Sequence, residues 1–146
     1  MKVHLLDVNV LIALFDPAHL DHHEAHRWFG TVGGKAWPTC PMTENGLVRI
    51  LSNPGYPTVQ ATSAEVLDRL RIFCGRPGHH FWPADISMRD RSLFASDLPV
   101  GSRQISDVYL LALAVHHKGK LATFDRGIRA AAVPSGGVQA LEVIGA

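Results

Sequence analysis

The sequence predicts an α/β protein: a single domain over residues 1–146, with a mostly parallel central sheet flanked by helices. Short apolar segments that suit buried strands alternate with segments that suit helices, and this alternation is typical of parallel sheets. The chain has 146 residues, with no internal repeat and no linker long enough to divide it. A chain of this length has the size of one ordinary domain.

The strands are predicted from short apolar runs bounded by turn-forming residues. They cover residues 3–6, 35–40, 80–82, 121–124 and 141–144. The helices are predicted from their start and stop signals, such as the capping-box spacing of Thr62 and Glu65 before a segment that Gly75 ends. They cover residues 10–15, 21–29, 41–53, 63–74 and 105–117, and a further helix that buries Leu93 and Phe94 is expected to begin near Ser87 and Asp90.

Composition limits the classes of function without choosing one. The formal net charge is +1, from 14 basic and 13 acidic residues, so a nucleic-acid site would depend on local clustering of charge. Hydrophobic residues make up 47% of the chain and charged residues 18%. This apolar balance indicates either surface that partner proteins cover or a well-filled core.

The cysteines and the amino terminus indicate a protein of the cytoplasm. Cys40 and Cys74 match no metal-binding or redox spacing, and two lone cysteines indicate reduced thiols. The apolar stretch near the amino terminus is interrupted by Asp7 and Asn9. We therefore expect neither a signal peptide nor a membrane span there.

Four acidic residues stand where strands end or helices begin: Asp7, Glu44, Asp107 and Asp125. Taken singly, each has an ordinary structural explanation as a helix cap, a partner of the helix dipole or a turn residue. Taken together, they are expected to meet at the edge of the sheet where the strands' carboxyl ends lie. Carboxylates this close cannot all ionise in a dry site unless a cation lies between them. Oxygen ligands favour Mg²⁺ or Mn²⁺.

The segments around these acids resemble the four acid-bearing motifs of PIN domains, and most closely those of the VapC toxin branch. The matching segments are LLDVNVL (5–11), TENG (43–46), QISD (104–107) followed by LLALA (110–114), and ATFD (122–125). They occur in the family's order and span most of the chain.

The resemblance implies an endoribonuclease that hydrolyses RNA phosphodiester bonds with metal-activated water. Asp7, Glu44, Asp107 and Asp125 would be the catalytic acids and the ligands of Mg²⁺ or Mn²⁺, and Asn9, Ser106 and Thr123 match supporting polar positions. The implied partners are an RNA substrate, a cognate antitoxin and a second copy of the chain, with no membrane. Some relatives carry a further acid shortly after the last one. Here Arg126, Gly127 and Ile128 follow Asp125, so one ion is expected rather than two.

Two other functions remain open. A haloacid-dehalogenase-like phosphatase would use Asp7 as its nucleophile, although that family has a second aspartate where Asn9 stands. A PIN-like module could also bind RNA or protein without cleaving it, and in such a module the acids would have no catalytic role.

Further side chains were weighed for a role in binding. Arg49, Arg103 and Arg126 lie within five residues of an acid and are possible phosphate ligands or surface charges. His22 and His26 have a spacing that a zinc ion could use, but the H-E-x-x-H motif is missing, so a solvent-facing set of histidines is expected. The large aromatic residues Trp28, Trp37, Trp82 and Tyr109 are expected in the core or an interface rather than as base-stacking platforms.

Overall fold

A computed structural model describes residues 2–146 and confirms the α/β fold with a parallel sheet. The strands are β1 (His4–Leu6), β2 (Trp37–Thr39), β3 (His79–Phe81), β4 (Lys120–Thr123) and β5 (Leu141–Val143). The helices are α1 (Val8–Phe15), α2 (His22–Thr31), α3 (Pro41–Leu51), α4 (Ser63–Cys74), α5 (Ile105–His116) and α6 (Gly137–Ala140). Short 3₁₀ turns cover Gly33–Lys35, Ser102–Gln104 and Ala130–Ala132.

The strands form two parallel ladders. One ladder has the order β1-β4-β5, and the other pairs β2 with β3. The ladders meet just before β2, where the backbone N–H of His4 donates to the carbonyl of Ala36 at 3.0 Å. Because β1 and β4 are parallel neighbours, the residues that follow them lie at the same edge of the sheet. Asp7 and Asp125 are therefore brought to one side of the protein.

The sheet separates two apolar clusters, because successive side chains of a strand point to opposite faces. On β1, Leu6 packs into the cluster formed with α1, α2, α3 and α4, whereas Leu5 packs into the cluster formed with α5. Ala122 and Leu121 of β4 divide in the same way. The helices thus cover both faces, which fixes the sheet rigidly beneath the residues at its edge.

The aromatic residues lie where the sequence predicts. Trp28, Trp37 and Trp82 are buried. Tyr109 is half-buried, and its hydroxyl donates to the carbonyl of Ile86 at 3.1 Å. No helix within residues 2–146 is long and apolar enough to cross a membrane.

One predicted helix begins two residues before its apolar run, and another does not form. The first helix begins at Val8 rather than at residue 10, because the Asp7 side chain caps it directly. No helix forms near Ser87 and Asp90, although Leu93 and Phe94 are buried as expected. The Asp90 carboxylate instead accepts from the backbone N–H of Ser92 at 2.9 Å, which closes a turn in place of a helix.

Candidate active site

Asp7 lies immediately after β1 and is 4% exposed. Its Oδ1 accepts from the backbone N–H of Val8 at 2.7 Å, and its Oδ2 accepts from the hydroxyl of Thr123 at 2.8 Å. Burial raises the pKa of Asp7 and the nearby Asp125 raises it further, while the two hydrogen bonds partly oppose this. Asp7 is therefore a buried carboxyl whose charge is costly without a cation.

Thr123 and Asn9 hold the end of β4 against Asp7. The Thr123 hydroxyl accepts from Asn9 Nδ2 at 3.1 Å and from the backbone N–H of Asp125 at 3.0 Å. Asn9 Oδ1 in turn accepts from the backbone N–H of Phe124 at 3.1 Å. These bonds connect the start of α1 to the segment that carries Asp125, so the two predicted supporting residues lie beside the acids and fix their spacing.

Asp107 lies in the first turn of α5 and faces the same region. Burial, followed by the charges of Asp7 and Asp125, raises the pKa of Asp107 to about 6. Asp107 lines the same pocket as Asp7, and the charges of Asp7 and Asp125 both favour its neutral form. Asp125 completes the group, and its Oδ1 accepts from the backbone N–H of Gly127 at 2.7 Å, which closes the turn after β4.

An open pocket of about 460 Å³ reaches Asp7 and Asp107 from the surface. One face of α3 forms its opposite wall, with Met42, Asn45 and Arg49 among the lining residues. The predicted supporting residue Ser106 also lines it. Met42 and Asn45 were not predicted as site residues, although Asn45 follows Met42 by three residues and precedes Arg49 by four, a spacing that places all three on one face of a helix.

A glycine sets the width of this pocket. A Cβ atom at Gly46 would lie 2.8 Å from Cγ2 of Val8, which is closer than side-chain atoms approach. The absence of a side chain at Gly46 therefore lets α3 pack directly against the start of α1. The α3 wall is held close to Asp7 as a result.

Glu44 is placed apart from the other three acids. Its Oε2 accepts from the hydroxyl of Thr39 at 2.7 Å, and it lies beside Cys74 and His79. On α3 it precedes Asn45 by one residue and so lies at the flank of the face that lines the pocket. The structure thus brings Asp7, Asp107 and Asp125 together, and it directs the Glu44 carboxylate to a second polar group.

The three arginines have different surroundings. Arg49 is exposed at the pocket wall, where a phosphate would reach it. Arg126 donates from Nη2 to the carbonyl of Gly145 at 3.1 Å and borders a different surface pocket. Arg103 is exposed on the 3₁₀ turn before α5. Only Arg49 lines the pocket with Asp7 and Asp107 among these three.

The histidines of α2 are largely solvent-facing, as expected, since His23 and His26 are exposed and His22 is half-buried, but two of the rings also contact the end of α1. His22 Nδ1 lies 2.7 Å from the carbonyl of Ala13, and His26 Nε2 lies 2.9 Å from the carbonyl of Leu14. These carbonyls belong to the last turn of α1, where no intrahelical donor is available. The two rings therefore satisfy the end of α1 instead of forming an isolated metal site.

The fold and the site together define a parallel α/β protein with a carboxylate cluster beyond the ends of two neighbouring strands. The PIN domain family matches residues 4–134, which is most of the chain. The chain therefore belongs to the PIN-domain family, and the resemblance seen in its motifs is confirmed.

Similar proteins cover nearly the whole chain. Ribonuclease VapC44 of Mycobacterium tuberculosis is 39% identical over 140 residues, which are 96% of this chain and 98% of that protein. Ribonuclease VapC39 of the same organism is 41% identical over 124 residues, 85% of this chain and 89% of that protein. The crystal structure of M. tuberculosis VapC20, described as a sarcin-ricin loop cleaving toxin, has a TM-score of 0.62 at 11% identity. The structural alignment covers 90% of this chain and 97% of VapC20, and at this low identity it shows a shared fold.

Proposed function

We propose that this chain, as one domain over residues 1–146, is an endoribonuclease that hydrolyses RNA phosphodiester bonds with Mg²⁺ or Mn²⁺, and that it is the toxin of a toxin–antitoxin pair. The observation that carries the proposal is that Asp7 and Asp107 line one pocket with Asp125 close enough for its charge to act on both, and that burial and these two acids raise the pKa of Asp107 to about 6. The relatives named Ribonuclease VapC44 and Ribonuclease VapC39 support the choice of RNA.

The residues present fit a hard divalent cation. Asp7, Asp107 and Asp125 offer only oxygen ligands, and burial together with the charges of the other two acids raises the pKa of Asp107, a cost that a cation would relieve. Glu44 remains a predicted ligand, although its Oε2 accepts from the Thr39 hydroxyl at 2.7 Å and its side chain does not line the pocket. When bound, such an ion lowers the pKa of water and stabilises negative charge on a transferring phosphoryl group.

The chain's own residues bind and orient the substrate. Arg49 presents a guanidinium at the pocket wall, and its paired N–H donors suit the oxygens of a backbone phosphate. Asn45 adds an amide one turn earlier on the same face of α3. Thr123 and Asn9 keep Asp7 fixed opposite them, so that a phosphate held by Arg49 meets carboxyls whose positions do not change.

The structure disfavours a phosphatase that uses Asp7 as nucleophile. Both oxygens of Asp7 already accept hydrogen bonds, and the side chain is almost fully buried. A carboxylate in this state is suited to hold an ion rather than to attack a phosphate ester.

A cleavage assay tests the proposal and separates it from its alternatives. Labelled RNA should be cut in Mg²⁺ or Mn²⁺ and left intact in EDTA. Release of phosphate from a small monoester, without RNA cleavage, would instead indicate the phosphatase. RNA that is bound but never cut in either metal would indicate a binding module.

Metal binding should also appear as thermal stabilisation, because an ion that binds only the folded state adds about 2.7 kcal/mol at a hundredfold excess over its Kd. We expect Mn²⁺ to raise the melting temperature of the wild type and to have far less effect on Asp7→Asn. Asp97→Asn, a change at an exposed aspartate outside the pocket, is the matched control and should respond like the wild type. An undiminished shift in Asp7→Asn would remove Asp7 from the ligand set.

The proposed partners are a second copy of the chain and a small antitoxin that covers the acids, and the proposed location is the cytoplasm. The VapC ribonucleases that this chain resembles support these partners, and Leu20, 96% exposed, and Ile72, 75% exposed, are apolar side chains that a partner could cover. An antitoxin arginine placed against Asp7 and Asp107 would supply the positive charge that the site lacks. Light scattering at micromolar concentration should give the mass of a dimer, and a monomer would contradict the homodimer.

A further inference from the structure

A second group of metal-binding side chains lies where β2, β3, α3 and α4 meet. Glu44 comes from the first turn of α3, Cys74 is the last residue of α4 and His79 is the first residue of β3. A carboxylate oxygen, a sulfur and an imidazole nitrogen from these residues all lie within 4.8 Å of one another. The fold therefore brings three different kinds of ligand atom to one half-buried point from three separate segments.

The Thr39 hydroxyl, at the end of β2, lies in the middle of this group. It donates to Glu44 Oε2 at 2.7 Å and lies 2.8 Å from His79 Nε2. A hydroxyl has one proton and an ionised carboxylate only accepts, so the proton between Thr39 and His79 belongs to Nε2. The His79 ring also packs on Trp37 with centroids 4.8 Å apart, which fixes its orientation.

We propose that Glu44, Cys74 and His79 form a binding site for one Zn²⁺ ion. Sulfur, nitrogen and oxygen ligands are the set that Zn²⁺ takes in proteins, in a tetrahedron whose ligand atoms are about 3.5 Å apart. The three atoms, which lie within 4.8 Å of one another, would approach that spacing by rotation of their side chains. Water or the Thr39 hydroxyl completes the fourth position. Binding releases the thiol proton of Cys74 to solvent, and the Nε2 proton of His79 moves to Nδ1, so that the sulfur and Nε2 are free to ligate.

This site differs in chemistry from the three aspartates. Asp7, Asp107 and Asp125 offer oxygen alone and suit Mg²⁺ or Mn²⁺, whereas a thiolate and an imidazole select the softer Zn²⁺. The two sites compete for Glu44, because its carboxylate cannot ligate at both. If Glu44 serves the acid site in catalysis, Zn²⁺ would withdraw it and lower RNA cleavage. That consequence rests on the proposed function, whereas Zn²⁺ binding itself does not.

The side chains of Asp85, His116 and His117 form another cluster within ligand spacing. This cluster lies on the surface, where the Asp85 carboxylate contacts the imidazoles of His116 and His117 at 3.6 Å and 3.0 Å. It consists of a carboxylate and two imidazoles and contains no sulfur. A probe that reports on thiolate ligation therefore distinguishes the Cys74 site from this one.

The test uses Co²⁺, which replaces Zn²⁺ and gives a near-ultraviolet thiolate-to-cobalt charge-transfer band. When Co²⁺ is titrated into the purified, reduced full chain, this band should reach its maximum at one Co²⁺ ion per chain, and added Zn²⁺ should abolish the band. Cys74→Ser and His79→Ala should lose the band. The matched controls are Cys40→Ser, which keeps a capping side chain at the start of α3, and His80→Ala, a change at the exposed neighbouring histidine. Both controls should keep it.

A second measurement does not depend on any variant. Zn²⁺ should protect Cys74 from alkylation in the wild type, EDTA should remove the protection, and mass mapping of peptides identifies the cysteine. No charge-transfer band in the wild type, an equal band in Cys74→Ser, or alkylation of Cys74 that Zn²⁺ does not slow would each overturn the proposal. RNA cleavage in Mg²⁺ is measured separately, so failure of the Zn²⁺ site and failure of the nuclease are distinguishable.

Discussion

Asp107→Asn is expected to reduce RNA cleavage by roughly 10²–10³-fold while the protein remains folded, an effect comparable to removing one electrostatic stabiliser of a transition state. Asparagine keeps the shape of the side chain but loses the charge that would hold the cation. A purely structural Asp107 would only favour the dipole of α5, which contributes about 0.3–1 kcal/mol to stability. Cleavage of a labelled RNA in Mg²⁺, measured beside a thermal melt, separates these roles. Asp97→Asn should cut at the wild-type rate.

The same variant should change the pH dependence of stability in EDTA. The folded-state pKa of Asp107 is about 6, above its ordinary value of 3.8, because burial and the charges of Asp7 and Asp125 favour the neutral form. Its contribution to stability is therefore full below the unfolded pKa and is lost as pH rises through about 6. Asp107→Asn has no carboxyl at this position and does not lose this stability. The melting temperature of the variant minus that of the wild type should therefore increase between pH 4 and 7. A difference that stays constant over that range would contradict the raised pKa.

Thr123→Val is expected to destabilise the protein by about 1–3 kcal/mol, because it removes the donor to a buried carboxylate. Thr123 donates to Asp7 and accepts from Asn9 Nδ2 and from the backbone N–H of Asp125. Valine has nearly the same shape, so the loss reports on these hydrogen bonds rather than on packing. Without the Thr123 hydroxyl the pKa of Asp7 should rise further, and metal binding should weaken with it.

Thr123→Ser is the matched control, because it restores the hydroxyl and loses one methyl group. Denaturant unfolding should place it much closer to the wild type than Thr123→Val, and Mn²⁺ should still stabilise it. If the valine and serine variants unfold alike, the hydrogen bonds of Thr123 contribute little and the rigidity of Asp7 has another source.

The sequence was sufficient to predict the fold class, and of the four acids predicted to meet, Asp7, Asp107 and Asp125 lie near one another whereas Glu44 lies apart. Asp7 and Asp125 directly follow apolar strands, and parallel neighbouring strands end at the same edge, so their meeting follows from topology alone. The position of Asp107 could be predicted from the start of α5, because the helix pattern that begins there is clear. Local signals of this kind survive because the packing of the core agrees with them.

The surroundings of Glu44 could not be predicted in the same way. Which direction a side chain in the first turn of a helix takes depends on the rotation of that helix about its axis. Here the close contact of Gly46 with Val8 fixes the rotation of α3 about its axis. Thr39 of β2 is the hydrogen-bonding partner of the Glu44 carboxylate, and His79 of β3 contacts the same hydroxyl. His79 lies 35 residues beyond Glu44, and nothing in the spacing of the sequence connects them.

The missing helix near Ser87 and Asp90 has a different cause. Serine and aspartate favour helix starts and turns for the same reason, because their short side chains accept hydrogen bonds from nearby backbone N–H groups. At Asp90 the accepted bond comes from Ser92, two residues on, which commits the segment to a turn. Residue type alone does not distinguish these outcomes.

The hydrogen bond from Thr123 to Asp7 joins residues 116 positions apart. A ribosome delivers Asp7 near the start of synthesis and delivers α5 and β4 in the last third of the chain. A nascent chain or prematurely terminated product that stops before residue 105 contains neither Asp107 nor Asp125, so it holds one acid of the cluster and no pocket between helices. A partial product of this length therefore has no assembled site, and whatever the acids do begins only once β4 has been made and has paired with β1.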